Sequence, residues 1–207
     1  MFRKSVVLPD NAPVIPFYDV REIDGTTTEL KFFLPNPSRE DNDNNYRGNP
    51  LPGDNNFVLM AIKVDATIKN IKSTANIDPQ KVVNQLTDAV IEIRSNRGRE
   101  EALLTPLDEY MNLNGIQASN YHDGTNFEQS ITLQASKPRR IDNLFAFGPN
   151  GAWDLSIHFK TGDFPAQADW STGRFGLKTT LYMAELTSQQ LARYEQRLEA
   201  VANPGGQ

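Results

Sequence analysis

Period-two alternation of apolar and polar residues, interrupted by turn-forming pairs, is the main signal along this chain. From Phe17 to Leu34 it reads FYDVREIDGTTTELKFFL, with apolar and β-branched residues on both sides of Asp24-Gly25. Asp-Gly adopts the positive φ angles of a type I′ turn, so Phe17 to Ile23 and Thr26 to Leu34 are expected to pair as an antiparallel hairpin. Pro35 and Pro37 stop the second strand. Phe57 to Ile68 alternates loosely and is expected to be a long strand. A second hairpin is expected in AVIEIRSNRGREEALLTPL, turning at Asn96-Arg97-Gly98. FEQSITLQA, RRIDNLFAFG, WDLSIHFKT and FGLKTTLYMAEL supply four further strands, while NLNGIQASNYHDGTNF reads as a loop-rich stretch.

Two segments change period. In DPQKVVNQLTDA, Asp78 can cap and Pro79 suits a first helical position, with Val82, Val83 and Leu86 on one face, so a short helix is expected over 79–87. In TSQQLARYEQRLEAVA, Thr187 and Gln190 form a capping box, and Leu191, Tyr194, Leu198 and Val201 make one stripe, so a second helix is expected over 187–202. About eight to ten strands with no βαβ alternation argue for an all-β fold, an antiparallel sandwich or barrel. No linker divides the chain. A single domain over 1–207 is expected, with an arm at 1–16 and a long polar loop at 35–56.

The bulk properties remove several classes of function. With 207 residues the chain can bury a core large enough to stand without a metal or disulfide. It has no cysteine, which excludes disulfide frameworks, thiolate metal sites and cysteine nucleophiles. A net charge of −5 argues against a surface that is basic overall. No apolar run approaches the ~20 residues that span a bilayer, and the opening MFRKSVVLPDNAP is a poor match to a secretory signal.

Motif chemistry is sparse. Asp41, Asp43 and Asn45 start like an EF-hand loop, but Tyr46 stands where glycine must turn and Pro52 where a bidentate Glu is needed. No metal site is therefore expected. His122 and His158 share no ligand spacing, and His158 should point away from the face that carries Leu155, Ile157 and Phe159. No serine sits in a nucleophile elbow, and the carboxylate pairs Glu100-Glu101 and Asp108-Glu109 are adjacent in sequence, so no catalytic set can be assigned. The basic cluster KPRR, Lys137 to Arg140, and the smaller Arg3-Lys4 are candidate contacts for phosphate or acidic neighbours, beside the plainer reading of solvated charge. Trp153, Trp170 and Tyr121, set among Gly, Pro and Asn, are the side chains a carbohydrate- or ligand-binding sandwich would use.

One pattern goes further. Phe32-Phe33, then Asn44-Asn45, Gly48, Leu51-Pro52 and a Phe57-led strand with Ile62 and Val64 resembles the N-terminal part of small jelly-roll capsid proteins of tailless icosahedral bacteriophages. Asn49 and Pro50 depart from it, standing between Gly48 and Leu51 where that family is tighter. The resemblance implies an eight-stranded jelly roll without active site or cofactor. Such a subunit is made in the host cytoplasm and assembles into capsomers and an icosahedral virion shell, alongside other capsid proteins and over a genome or internal membrane. No small-molecule substrate is implied. On that reading the polar loop orders on assembly, with Asn44, Asn45, Tyr46 and Arg47 as intersubunit contacts. Arg3, Lys4, Arg139 and Arg140 are further contacts on the inner surface or between subunits.

Overall fold

The computed structural model describes residues 12–23, 25–34, 44–45, 53–72, 79–96, 100–113, 116–122, 127–141, 145–149, 151, 153–161, 164 and 172–202. The chain runs through β1 (Val14–Glu22), β2 (Glu29–Phe32), β3 (Asn56–Lys72), α1 (Pro79–Thr87), β4 (Val90–Asn96) and β5 (Glu100–Pro106). A short 3-10 turn (Leu107–Glu109) leads to β6 (Ile116–His122), β7 (Phe127–Leu133), β8 (Arg139–Arg140) and β9 (Ala146–Phe147). The last elements are β10 (Trp153–His158), β11 (Thr172–Leu186) and α2 (Ser188–Ala202).

Every strand pair is antiparallel, and the main pairings are nested. β1 pairs with β11, β2 with β10, β3 with β8 and β9, and β4 with β5. Further pairs, β11 with β3 and β10 with β4, assemble these into one sheet ordered β1-β11-β3-β8, with β9 also on β3, and another ordered β2-β10-β4-β5. β6 and β7 pair only with each other. One buried cluster draws Phe17, Leu59, Ile62, Val64, Leu177 and Leu181 from the first sheet and Leu30, Phe32, Ile91, Ile93, Leu155 and Ile157 from the second. The two larger sheets therefore share a single core.

The expected Phe17–Leu34 hairpin does not form. Ile23 N–H donates to Phe175 O, keeping β1 beside β11, while Phe159 N–H donates to Thr28 O, tying the next strand to β10. The chain crosses between sheets over 23–28. Crossing lets Phe17 and Phe32 enter the same core from opposite sides, a gain of roughly 1.5–3 kcal/mol per large side chain that the local turn signal does not report. The second hairpin forms as expected, with β4 and β5 in register from Val90↔Pro106 to Asn96↔Glu100. Two further readings need correction. Ile116–His122, read as loop, is β6 and pairs along its length with β7. RRIDNLFAFG, read as one strand, gives among the described residues the two-residue β8 and β9, both on the edge of β3.

The helices match their sequence signals. In α1, Val82 and Leu86 are buried. At the start of α2, Thr187 N–H donates to Gln190 Oε1 at 2.9 Å and Gln190 N–H to Thr187 Oγ1 at 3.3 Å, the reciprocal capping box. Leu191 and Tyr194 pack with Val58, Ala146 and Leu186 on the outer side of the first sheet. The run Phe57–Leu59 is therefore apolar without a break: Leu59 faces the other sheet and Val58 faces α2.

A candidate interaction surface on the first sheet

The polar loop contributes a short, well-anchored segment. Asn44 bridges Asp19, and Asn45 holds the free edge of β1 with three hydrogen bonds. Asn45 N–H donates to Tyr18 O at 3.1 Å, its Nδ2 donates to Pro16 O at 2.7 Å, and its Oδ1 accepts Tyr18 N–H at 2.6 Å. The Asn45 amide thus reproduces a strand's donor and acceptor, so two residues cover an edge that would otherwise offer unpaired backbone groups. Asn44 and Asn45 act within their own chain here. Tyr46 and Arg47, like Arg3 and Lys4, lie outside the described residues. β1 begins at Val14, so residues 14–16 of the expected arm belong to the sheet.

At the opposite edge, Arg139 and Arg140 pair with Ile62 and Ala61 of β3. Arg139 Nη2 lies 3.5 Å from Glu109 Oε2. Arg140 is exposed and shares the outer face with Ala61, and through the register with Tyr182 and Pro16. The adjoining rows are Tyr18–Thr180–Lys63 and Val20–Lys178–Asp65. Three strand spacings, about 14 Å, separate the Asn45 edge from the Arg140 edge. The fold thus sets two of the sequence's candidate clusters at opposite margins of one face.

Between those margins stands chemistry that no motif announced. Lys178 Nζ sits 3.9 Å from the centroid of the Tyr18 ring, a cation–π contact. Lys63 Nζ pairs with Asp65 Oδ2 at 2.7 Å, and Asp65 Oδ1 accepts Ser136 N–H at 2.8 Å, so that carboxylate is neutralised where it stands. Burial pushes the Tyr194 phenol up, and nearby Arg140 works against that shift. The Arg140 charge therefore reaches Tyr194 on α2. A sequence signal for this face existed in the spacing Tyr18–Val20 and Lys178–Thr180–Tyr182, but the register that unites them is tertiary.

Elsewhere, Asp19 is buried beneath β1. Its Oδ2 accepts Phe33 N–H at 2.7 Å, Arg21 Nε at 3.0 Å and Arg21 Nη2 at 2.8 Å. Burial raises the Asp19 pKa, outweighing the Phe33 amide and the Arg21 charge. Phe33 has φ 55°, a left-handed conformation that the carboxylate and the surrounding core hold in place. On the second sheet's outer face, His158 Nε2 is 3.2 Å from Glu92 Oε2 and its Nδ1 4.0 Å from Glu29 Oε1, while Leu155 and Ile157 point inward as expected. Trp153 is buried against Phe33 and Phe147, with ring centroids 5.1 and 5.0 Å away, and cannot serve as a sugar platform. Tyr121 and His122 are in β6, Asp108 and Glu109 are exposed on the 3-10 turn, and Trp170 lies outside the described residues. Among the described residues, no group of three or more His, Asp or Glu is placed to hold a metal ion. No described helix is long and apolar enough to cross a membrane. Compared with known proteins, the chain matches no family model, no curated protein and no solved structure.

Proposed function

We propose that this chain is a jelly-roll subunit that assembles with copies of itself into capsomers and a closed virion shell. The observation that carries the reading is the nested strand pairing, first with last and second with second-last, divided between two sheets that share a core. A long antiparallel ribbon rolled up once produces that order, with β1, β11, β3 and β8/β9 as one sheet and β2, β10, β4 and β5 as the other. On this reading β6 and β7 are an insertion between the fifth and sixth strands of the roll, and the whole chain is one domain.

Assembly suits this surface better than catalysis or sugar binding. Both edges of the first sheet are covered within the chain, by Asn45 on β1 and by Tyr110, Arg139–Ile141 and Phe145–Phe147 along β3. Contacts between copies then fall to exposed faces and loops, where one modest interface repeated by symmetry stabilises a shell. The carbohydrate-binding alternative loses one of its three aromatic side chains with Trp153 in the core. The test is the mass distribution of the purified protein against concentration and salt, with electron microscopy of the largest species. Discrete capsomers or closed particles are expected; a chain that stays monomeric at high concentration would overturn the proposal.

A further inference from the structure

We infer that the outer face of the first sheet, where Lys178 and Arg140 stand beside Tyr18 and Tyr182 and α2 adds Arg197, all three cations without acidic partners among the described residues, is a binding surface for single-stranded nucleic acid. It goes beyond self-assembly and does not depend on it.

The argument starts from charge. The chain carries a net −5, yet this face concentrates cations that remain uncompensated. Most described basic side chains elsewhere are paired: Arg21 with Asp19, Lys31 with Glu29, Arg94 with Glu92, Arg139 with Glu109 and Lys160 with Asp88. Among the described residues, Lys178 and Arg140 have no such partner, and neither does Arg197, exposed on α2. Leu191, Tyr194 and Leu198 turn toward the sheet, and Arg197 follows Tyr194 by one turn on the exposed side of the helix that packs on this face. The acids on the sheet itself are Asp65, neutralised by Lys63 and the Ser136 amide, and Glu22 at the far end of β1, while α2 also carries Glu195 and Glu199.

Aromatic groups select among anionic partners. Tyr18 and Tyr182 are half-buried on the same face, in adjoining rows, and Lys178 is held 3.9 Å over the Tyr18 ring. Cations drawn from β11, β8 and α2, with a tyrosine ring presented beside them, match the two parts of single-strand recognition, phosphate contact and base stacking. An anionic lipid surface would instead call for apolar residues to insert, and among the described residues the exposed large apolar side chains are Val14, Leu34 and Leu104, of which Val14 alone borders this face. A duplex groove reader would need a protruding helix or ribbon, whereas this surface is a flat sheet.

The test is fluorescence anisotropy with a labelled oligo-dT of about 20 nucleotides, at protein concentrations where the mass distribution shows dissociated chains. Binding is expected at low salt, weakening on a log–log plot against salt with a slope of about −2 for three phosphate contacts. Arg140→Glu and Lys178→Glu should each weaken binding about tenfold or more and flatten the slope. Tyr182→Leu should weaken it several-fold while leaving the slope unchanged. Lys160→Glu makes the same charge change away from this face and should bind as the parent does; an equal loss there would reduce the effect to net charge and overturn the assignment. Circular dichroism of each variant checks folding, and the exposed edge position of Arg140 keeps that variant informative if Lys178→Glu unfolds. Absence of low-salt binding overturns the inference, as does parental affinity in Arg140→Glu. So does preferential binding of phosphatidylglycerol vesicles. Failure of the chain to form shells would leave every one of these readings intact.

Discussion

Thr179 sits in the middle strand of the first sheet with its hydroxyl sealed from solvent and without a hydrogen-bond partner among the described residues. A buried, unsatisfied hydroxyl costs about 1–3 kcal/mol, and valine has nearly the same shape. Thr179→Val should therefore raise stability by about 1 kcal/mol, read as a higher urea midpoint at unchanged slope. A lower midpoint would mean that the hydroxyl has a partner. Asp19 gives the opposite lesson, a buried carboxylate well supplied with donors that still binds its proton more tightly than an unfolded chain would. Its contribution is fully present at acid pH, below the ordinary carboxylate value, and declines as pH rises through the raised folded value. Compared with Asp19→Asn, which can keep an acceptor for the Phe33 amide, the parent should lose relative stability from about pH 4 toward neutrality. Denaturation of both proteins across that range checks it; a flat or reversed difference would refute the assignment.

Edges and close approaches decide how the elements behave. β1 runs so near β11 at Gly176 that a Cβ there would lie 2.5 Å from Arg21 O, which accounts for a glycine inside a strand. The other side of β1 depends on Asn45. Asn45→Ala should cost about 1 kcal/mol in stability and leave the fold in place, while uncovering a strand edge that promotes irregular association. Light scattering after dilution from urea measures this; scattering equal to the parent's would show that the edge is protected in some other way. The far edge of β3 is closed differently, by several short segments in turn. RRIDNLFAFG follows that edge in two short described pieces, with Ile141 N–H donating to Met60 O and Leu59 N–H donating to Phe145 O where the two pieces approach each other.

Nesting also sets the behaviour of the whole molecule. Val14 pairs with Ala184 and Glu22 with Gly176, so the outermost ladder joins the two ends of the fold. Such contacts require closure of a very long loop before any packing compensates for it. Refolding should accordingly take on the order of milliseconds to seconds, as stopped-flow tryptophan fluorescence would show, with Trp153 reporting burial among Phe33 and Phe147. A microsecond phase carrying the full amplitude would contradict a fold in which β1 waits for β11.

The chain by itself determined what is local. The alternation in WDLSIHF put Leu155 and Ile157 inside and His158 outside, Thr187 and Gln190 specified the start of α2, and Asn96-Arg97-Gly98 marked a turn whose flanking strands do pair. These features depend on neighbours within a few residues, so their energetics are written in sequence order. Tertiary structure alone decided the partners. Asp24-Gly25 looked like a hairpin, but its strands joined different sheets because both apolar faces bury more surface that way. The same holds for the face that unites Tyr18, Lys178 and Arg140, residues scattered over the whole chain. Cross-strand register is set by the sum of many weak, distant contacts, and no short stretch of residues encodes that sum.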